Sequence, residues 1–190
     1  TAGETADPFD IGRLEILAPF GMEIPHSGGR RLTAAPNPVV HGGIVAVIAG
    51  HSDDDPFNER TAWQSVLVRT PDGVWHAPLD TNTLIPGREE NGCFTGFNKW
   101  PAVEDGRVLC IARGPGGYEA VYLHDPAEKR LYFVADTDFV VDGKNVSGFE
   151  IGRYPMVGRR LAMLIRFRDG TSGVYLSTLE GLPEHRVRRR

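Results

Sequence analysis

The sequence predicts an all-β protein of three tandem four-stranded repeats, β-propeller-like in build, and three observations carry that prediction. Short runs rich in Val, Ile, Leu, Phe and Tyr are bounded by Gly, Pro and Asp turns, the pattern of strands packed on one or both faces. Nothing of helical length repeats its apolar residues every 3.6 positions between capping residues. The chain also repeats itself: "PNPVVHGGIVAVIAGH", "WPAVEDGRVLCIAR" and "YPMVGRRLAMLIRF" each set a proline, an apolar pair and a turn before a strand, so that Pro38, Pro101 and Pro155 correspond.

The elements follow in the same order in every unit. A second strand comes after the proline-led hairpin, in "AWQSVLVRTPDG", "YEAVYLHDPAEK" and "SGVYLSTLEG", and it aligns Val66, Val121 and Val174. An outer strand and a polar turn precede each hairpin, in "RLEILAPFGMEIPHSGG", "VWHAPLDTNTLIPGREENG" and "RLYFVADTDFVVDGKNVSG". One unit is roughly 55 to 60 residues, which suits a propeller blade; the alternative, a β-trefoil, also has three units of four strands but shorter repeats. The organisation expected is a disordered N-terminal segment over 1–10, a single all-β repeat domain over 11–183 with repeats at about 13–73, 74–129 and 130–181, and a solvated basic tail over 184–190. The last unit ends without an outer strand while the first begins with a spare one, "RLEILAP", so the N-terminal strand is expected to complete the final sheet. Three blades are few for a ring, and a homodimer of six is the other way to close one.

A chain of 190 residues can bury a core without metal or disulfide staples. A net charge of -4 and a pI near 5.9 give no general attraction to nucleic acid. No apolar run approaches the roughly 18 to 20 residues that cross a bilayer, so no membrane partner is expected. The polar start at Thr1 fits a cleaved secretory protein or a trimmed chain, and a periplasmic or extracellular location is the expectation. Of the two cysteines, Cys110 falls opposite Trp100 if the hairpin turns at Glu104 to Gly106; a bridge to Cys93 then requires Cys93 to fold back, and both the bridged and the free states stay open. No zinc-ligand spacing is present.

Two segments carry a family resemblance: "APLDTNTLIPGREENGCFTGFNKWPAVEDGRVLCIARGPGGYEAVYL" and "VADTDFVVDGKNVSGFEIGRYPMVGRRLAMLIRFRDGTSGVYL". Each has an outer strand ending in a D-T turn, a phenylalanine segment and a proline-led hairpin ending in a V-Y-L strand. In this the chain resembles a family of uncharacterised, exported bacterial β-propeller-like repeat proteins, which implies the fold and no activity. The first repeat also resembles a sialidase blade, with Asp72, Gly73 and Trp75 standing as the remains of an Asp box. Asn37, however, occupies the place of the first substrate arginine, and a six-bladed sialidase needs about twice this length.

The richest stretch chemically is "GHSDDDPFNERTAW", which lengthens in the first unit a loop that is short in the other two, "RGPGG" and "RDGTS". An insertion that a repeat scaffold does not need is where function is commonly added. Asp53, Asp54, Asp55 and Glu59 are expected to meet a basic protein partner, with Phe57 and Trp63 as anchors; the bland reading packs Trp63 under the loop and lays Phe57 over the core. Asp53 and Asp55 are also oxygen ligands of the kind calcium takes, although "DDDPFNE" lacks the spacing of a calcium loop. A secondary set, Phe97, Trp100, Phe149 and Tyr154, stands before the proline-led strands and either stacks a glycan or fills the space between repeats. Carboxylates for glycoside hydrolysis are plentiful but cannot be paired by spacing. No nucleophile elbow, phosphate loop or H-E-x-x-H occurs. The function expected is therefore that of a non-catalytic, exported binding protein without a cofactor, recognising another protein through the acidic loop, for instance an inhibitor or immunity protein. The alternatives are a carbohydrate-binding, lectin-like module and a glycosidase-like, sialidase-related enzyme.

Overall fold

The apolar runs become strands, and their order along the chain sets up three antiparallel sheets. The computed structural model of the chain describes residues 16–51, 63–98, 100–152 and 154–189. The N-terminal segment 1–10 and the loop residues Asp53, Asp54, Asp55, Phe57 and Glu59 lie outside the described residues.

In chain order the strands are β1 (Val39–His41), β2 (Ile44–His51), β3 (Trp63–Arg69), β4 (Trp75–Asp80), β5 (Gly96–Phe97), β6 (Ala102–Glu104), β7 (Arg107–Arg113), β8 (Glu119–Asp125), β9 (Arg130–Asp136), β10 (Val140–Val141), β11 (Lys144–Glu150), β12 (Met156–Val157), β13 (Arg160–Phe167), β14 (Ser172–Thr178) and β15 (Glu184–His185). The first sheet runs β1-β2-β3-β4. The second runs β15-β9-β8-β7-β5, with β6 also on β7; the third runs β10-β11-β13-β12, with β14 on the other edge of β13. The outer strands β4 and β9 thus pair with the unit that precedes them in sequence, so the sheets straddle the sequence repeats. The described strands form three mostly antiparallel sheets and close neither a barrel nor a ring among themselves.

The sheets stack face to face. Ile44, Ala46, Ile48, Val66, Val68 and Leu79 of the first meet Val108, Cys110, Ala112, Ala120 and Tyr122 of the second. The opposite face of the second, through Leu109, Ile111, Val121 and Leu123, meets Phe149, Leu161, Met163, Ile165 and Phe167 of the third. Short two-residue turns with positive φ at both positions, Gly42–Gly43 and Asp105–Gly106, make the hairpins β1–β2 and β6–β7, since such turns match the twist of the strands they join.

The two chain ends depart from expectation. Leu17 and Ala18 do not complete the third sheet: the Leu17 carbonyl accepts from Trp75 Nε1 at 3.2 Å, and Ala18, Met22, Ile24 and Leu32 cover the free face of the first sheet over Val47, Leu67 and Ala77. Among the described residues β14 pairs with β13 alone. The basic end is paired rather than free, although Arg186 and Arg188 are exposed. β15 extends the second sheet on β9, and the chain then crosses to the first, where Leu84 N–H donates to the Arg188 carbonyl (2.9 Å) and Arg189 Nε donates to Asp80 Oδ2 (3.0 Å). The physical reason is Asp80, whose carboxylate is fully buried at the end of β4 and needs a cation. Both cysteines are free: Cys93 Sγ donates to the Asn82 carbonyl, and burial pushes the Cys110 thiol up to about 12.

Candidate functional site: an aromatic cleft beside the proline breaks

In each sheet the strand that precedes a proline is broken. Proline donates nothing to a ladder and steers the residue before it away from helical geometry, so the pairing stops and resumes. Ala34 bridges Gly50 before β1 resumes on β2, β5 and β6 sit at opposite ends of β7, and β11 and β12 at opposite ends of β13. The residues at the breaks are Asn37, Trp100 and Tyr154. Trp100 from the second sheet and Tyr154 from the third converge on Pro38, Val39, Val40 and His41 of the first, with Val103 beneath, around a cleft of about 230 Å³. His41 Nδ1 lies 3.7 Å from Glu104 Oε2 of β6.

Trp100 is 42 % exposed and Tyr154 80 % exposed, a large apolar surface for a protein to leave in water. The two phenylalanines grouped with them in sequence go elsewhere. Phe97 is buried against Phe94 between the first two sheets, and Phe149 is buried between the second and third. Both are held by a hydrogen bond from the neighbouring sheet. Phe97 N–H donates to Gln64 Oε1 (2.9 Å) and Phe149 N–H donates to Glu119 Oε1 (2.6 Å). Gln64 and Glu119 hold the same repeat position, two residues before Val66 and Val121. The glycine ahead of each phenylalanine makes room for this strap: a Cβ on Gly96 would stand 3.1 Å from Gln64 Oε1, and one on Gly148 3.3 Å from Glu119 Oε1. The strap acceptors carry no sequence signal of their own; the "GF" dipeptides, read as close-approach sites, are the signal that finds them. Phe97 and Phe149 are therefore packing residues and leave the glycan set.

Of the acidic-loop set only Trp63 is described. Its half-buried ring packs on the covered face of the first sheet with Arg30 stacked 5.3 Å from its centroid. The D-T turns are structural too. Asp80 Oδ1 accepts from Asn82 N–H (2.9 Å) and Thr83 Oγ1 (2.9 Å), and Asp136 Oδ1 accepts from Asp138 N–H (3.0 Å). Each buried carboxylate gives its second oxygen to an arginine, Arg189 for Asp80 and Arg88 for Asp136, both at 3.0 Å. Among the described residues no three His, Cys, Asp or Glu side chains are placed to hold a metal ion, and the calcium candidates Asp53 and Asp55 lie outside them.

Fold and site together define an all-β protein of stacked antiparallel sheets with an exposed aromatic cleft where its broken strands meet. No protein-family model matches the chain, nor does any curated protein or solved structure compared with it.

Proposed function

We propose that the chain is an exported, non-catalytic binding protein built as an open, propeller-like array of three blades, and that the cleft between Trp100 and Tyr154 takes a sugar ring of a glycan. The convergence of these two exposed aromatics, from different sheets, on one apolar wall carries the reading. A flat π-face offers a sugar's C–H surface a dry contact, while the Tyr154 hydroxyl and the His41 imidazole supply polar partners in the lining. Among the described residues no carboxylate lines the cleft, which favours binding over hydrolysis. The test is a glycan array followed by calorimetry: a hit should weaken at least about tenfold in Trp100→Ala and in Tyr154→Ala, each with an unchanged melting temperature. An array without hits, or a hit indifferent to both substitutions, removes the reading.

A second reading rests on its own observation. The connection from β2 to β3 spans 52–62, whereas the equivalent connections span only 114–118 and 168–171. The surplus chain holds Asp53, Asp54, Asp55, Phe57 and Glu59, and it supports a basic protein partner met through charge, in the manner of an inhibitor or immunity protein. Alanine at Asp53, Asp54 and Asp55 should then weaken capture of that partner and flatten its salt dependence; unchanged capture takes the loop out of the account.

A further inference from the structure

A cavity of about 460 Å³ opens between the first and second sheets, walled by His76, His124, Lys129, His185, Arg186 and neighbouring residues. The C-terminal strand forms one side of it, so it exists only because the basic end is folded back.

Its lining is unusually rich in nitrogen. His76 on β4 and His124 on β8 project from the facing sheets, and His26 and His185 add two more imidazoles from the N-terminal segment and from β15. The one carboxylate in the lining, Glu184, is 3.6 Å from Arg130, and Arg189 is committed to Asp80. Lys129 and Arg186 have no carboxylate partner among the described residues. Positive charge at the rim is thus uncompensated.

His124 supplies the second, independent observation. It is only 7 % exposed, its Nδ1 lies 3.1 Å from the Arg130 carbonyl, and its Nε2 is buried with no hydrogen-bond partner. A carbonyl facing Nδ1 requires the proton there, so Nε2 of the neutral ring carries a lone pair. Burial, helped by the charge of His76, pushes its pKa down to about 4, which keeps the ring neutral at pH 7. A buried acceptor without a donor is costly, and a ligand that brings a donor relieves that cost.

A partner for this lining must offer a hydrogen-bond donor to the inner wall and negative charge to the rim. We propose that the cavity is a second binding site, distinct from the aromatic cleft, for a small hydroxylated carboxylate such as a sugar acid or hydroxy acid. A hydroxyl donates to His124 Nε2, and the carboxylate is held by Lys129 and Arg186. The volume falls within the range of small-molecule sites.

The experiment titrates full-length protein labelled with ¹⁵N-histidine with D-galacturonate at pH 7, and in parallel with D-galactose, acetate and inorganic phosphate. Saturable movement of the His124 imidazole resonances with D-galacturonate is expected, with D-galactose and acetate at least about tenfold weaker because the first lacks the charge and the second the hydroxyl donor, and with phosphate weaker because it offers charge and a donor without the carbon skeleton that separates them in a hydroxy acid. The double variant Lys129→Gln/Arg186→Gln, confirmed folded by an unchanged melting temperature, should weaken binding at least about tenfold, and Trp100→Ala should not change it. No saturable shift up to about 50 mM overturns the proposal, as do equal binding of acetate or phosphate and a double variant that binds as well as the parent.

Discussion

The second and third sheets use the same pattern of residues in opposite surroundings. Val121 on β8 is completely buried, and Val174, at the same repeat position on β14, is 79 % exposed. Leu123 and Leu176 repeat the contrast at 2 % and 66 %. On the first sheet Val66, again equivalent, is buried against the second sheet. Each of these positions faces the next sheet in the stack, and for the third sheet there is no next sheet among the described residues. The other end is treated differently, because Ile24 and Leu32 from the N-terminal segment cover the first sheet's free face. An apolar side chain in a strand therefore records which face could be buried; the neighbour decides whether it is.

The sharpest way to break the comparison is one substitution at two equivalent places. Leu123→Ala should cost about 2–5 kcal/mol in urea unfolding, whereas Leu176→Ala should stay within about 0.5 kcal/mol. A large cost at Leu176 that also depends on protein concentration would mean that a second copy covers the third sheet in solution, and sedimentation would then show a dimer.

Acid should next separate the two inter-sheet interfaces. His124 lies in the interface between the first and second sheets, and its counterpart on β14 is Ser177. Burial keeps the folded ring neutral down to about pH 4, whereas the unfolded chain takes up that proton near pH 6.5. The contribution is thus fully present above pH 6.5 and declines as the pH falls through the window to about 4, by on the order of 3 kcal/mol. Hydrogen exchange at pH 5 should open β4 and β8 before β11 and β13, and His124→Asn should flatten the pH dependence between those limits.

Arg189→Gln leaves the buried Asp80 carboxylate without its cation and should cost about 2–3 kcal/mol, with loss of protection along 184–189. The same change at Arg186, which has no carboxylate partner among the described residues, should cost little. The smallest effects concern the straps. Glu119→Ala strands the Phe149 N–H and should cost about 1–2 kcal/mol, while Ser172→Ala, the equivalent position on the third sheet, should be close to neutral in the same denaturation assay.

Much of this was legible in the chain. The proline-led hairpins, the equivalence of Val66, Val121 and Val174 and the extra length of the loop 52–62 all follow from local composition and period, which act over a few residues. The candidate site was half legible. Trp100 and Tyr154 stood out as aromatics before prolines, but so did Phe97 and Phe149, and only the distance of each from its break separates exposed from buried. The pairing of the C-terminal end was not legible because a basic run reads as a free tail until the buried carboxylate it neutralises is known, and Asp80 lies far from Arg189 in sequence.

By itself the sequence determined the local structure: short strands, tight glycine turns, proline breaks and a repeat, since each depends on backbone sterics and on apolar alternation between close neighbours. Only the tertiary structure decided which equivalent faces are covered, which arginine answers which buried aspartate, and that Trp100 and Tyr154 meet over Val39 and Val40. Those outcomes depend on residues distant in sequence being brought within a few ångströms, where burial turns an ordinary carboxylate, imidazole or aromatic ring into a constraint on its neighbours.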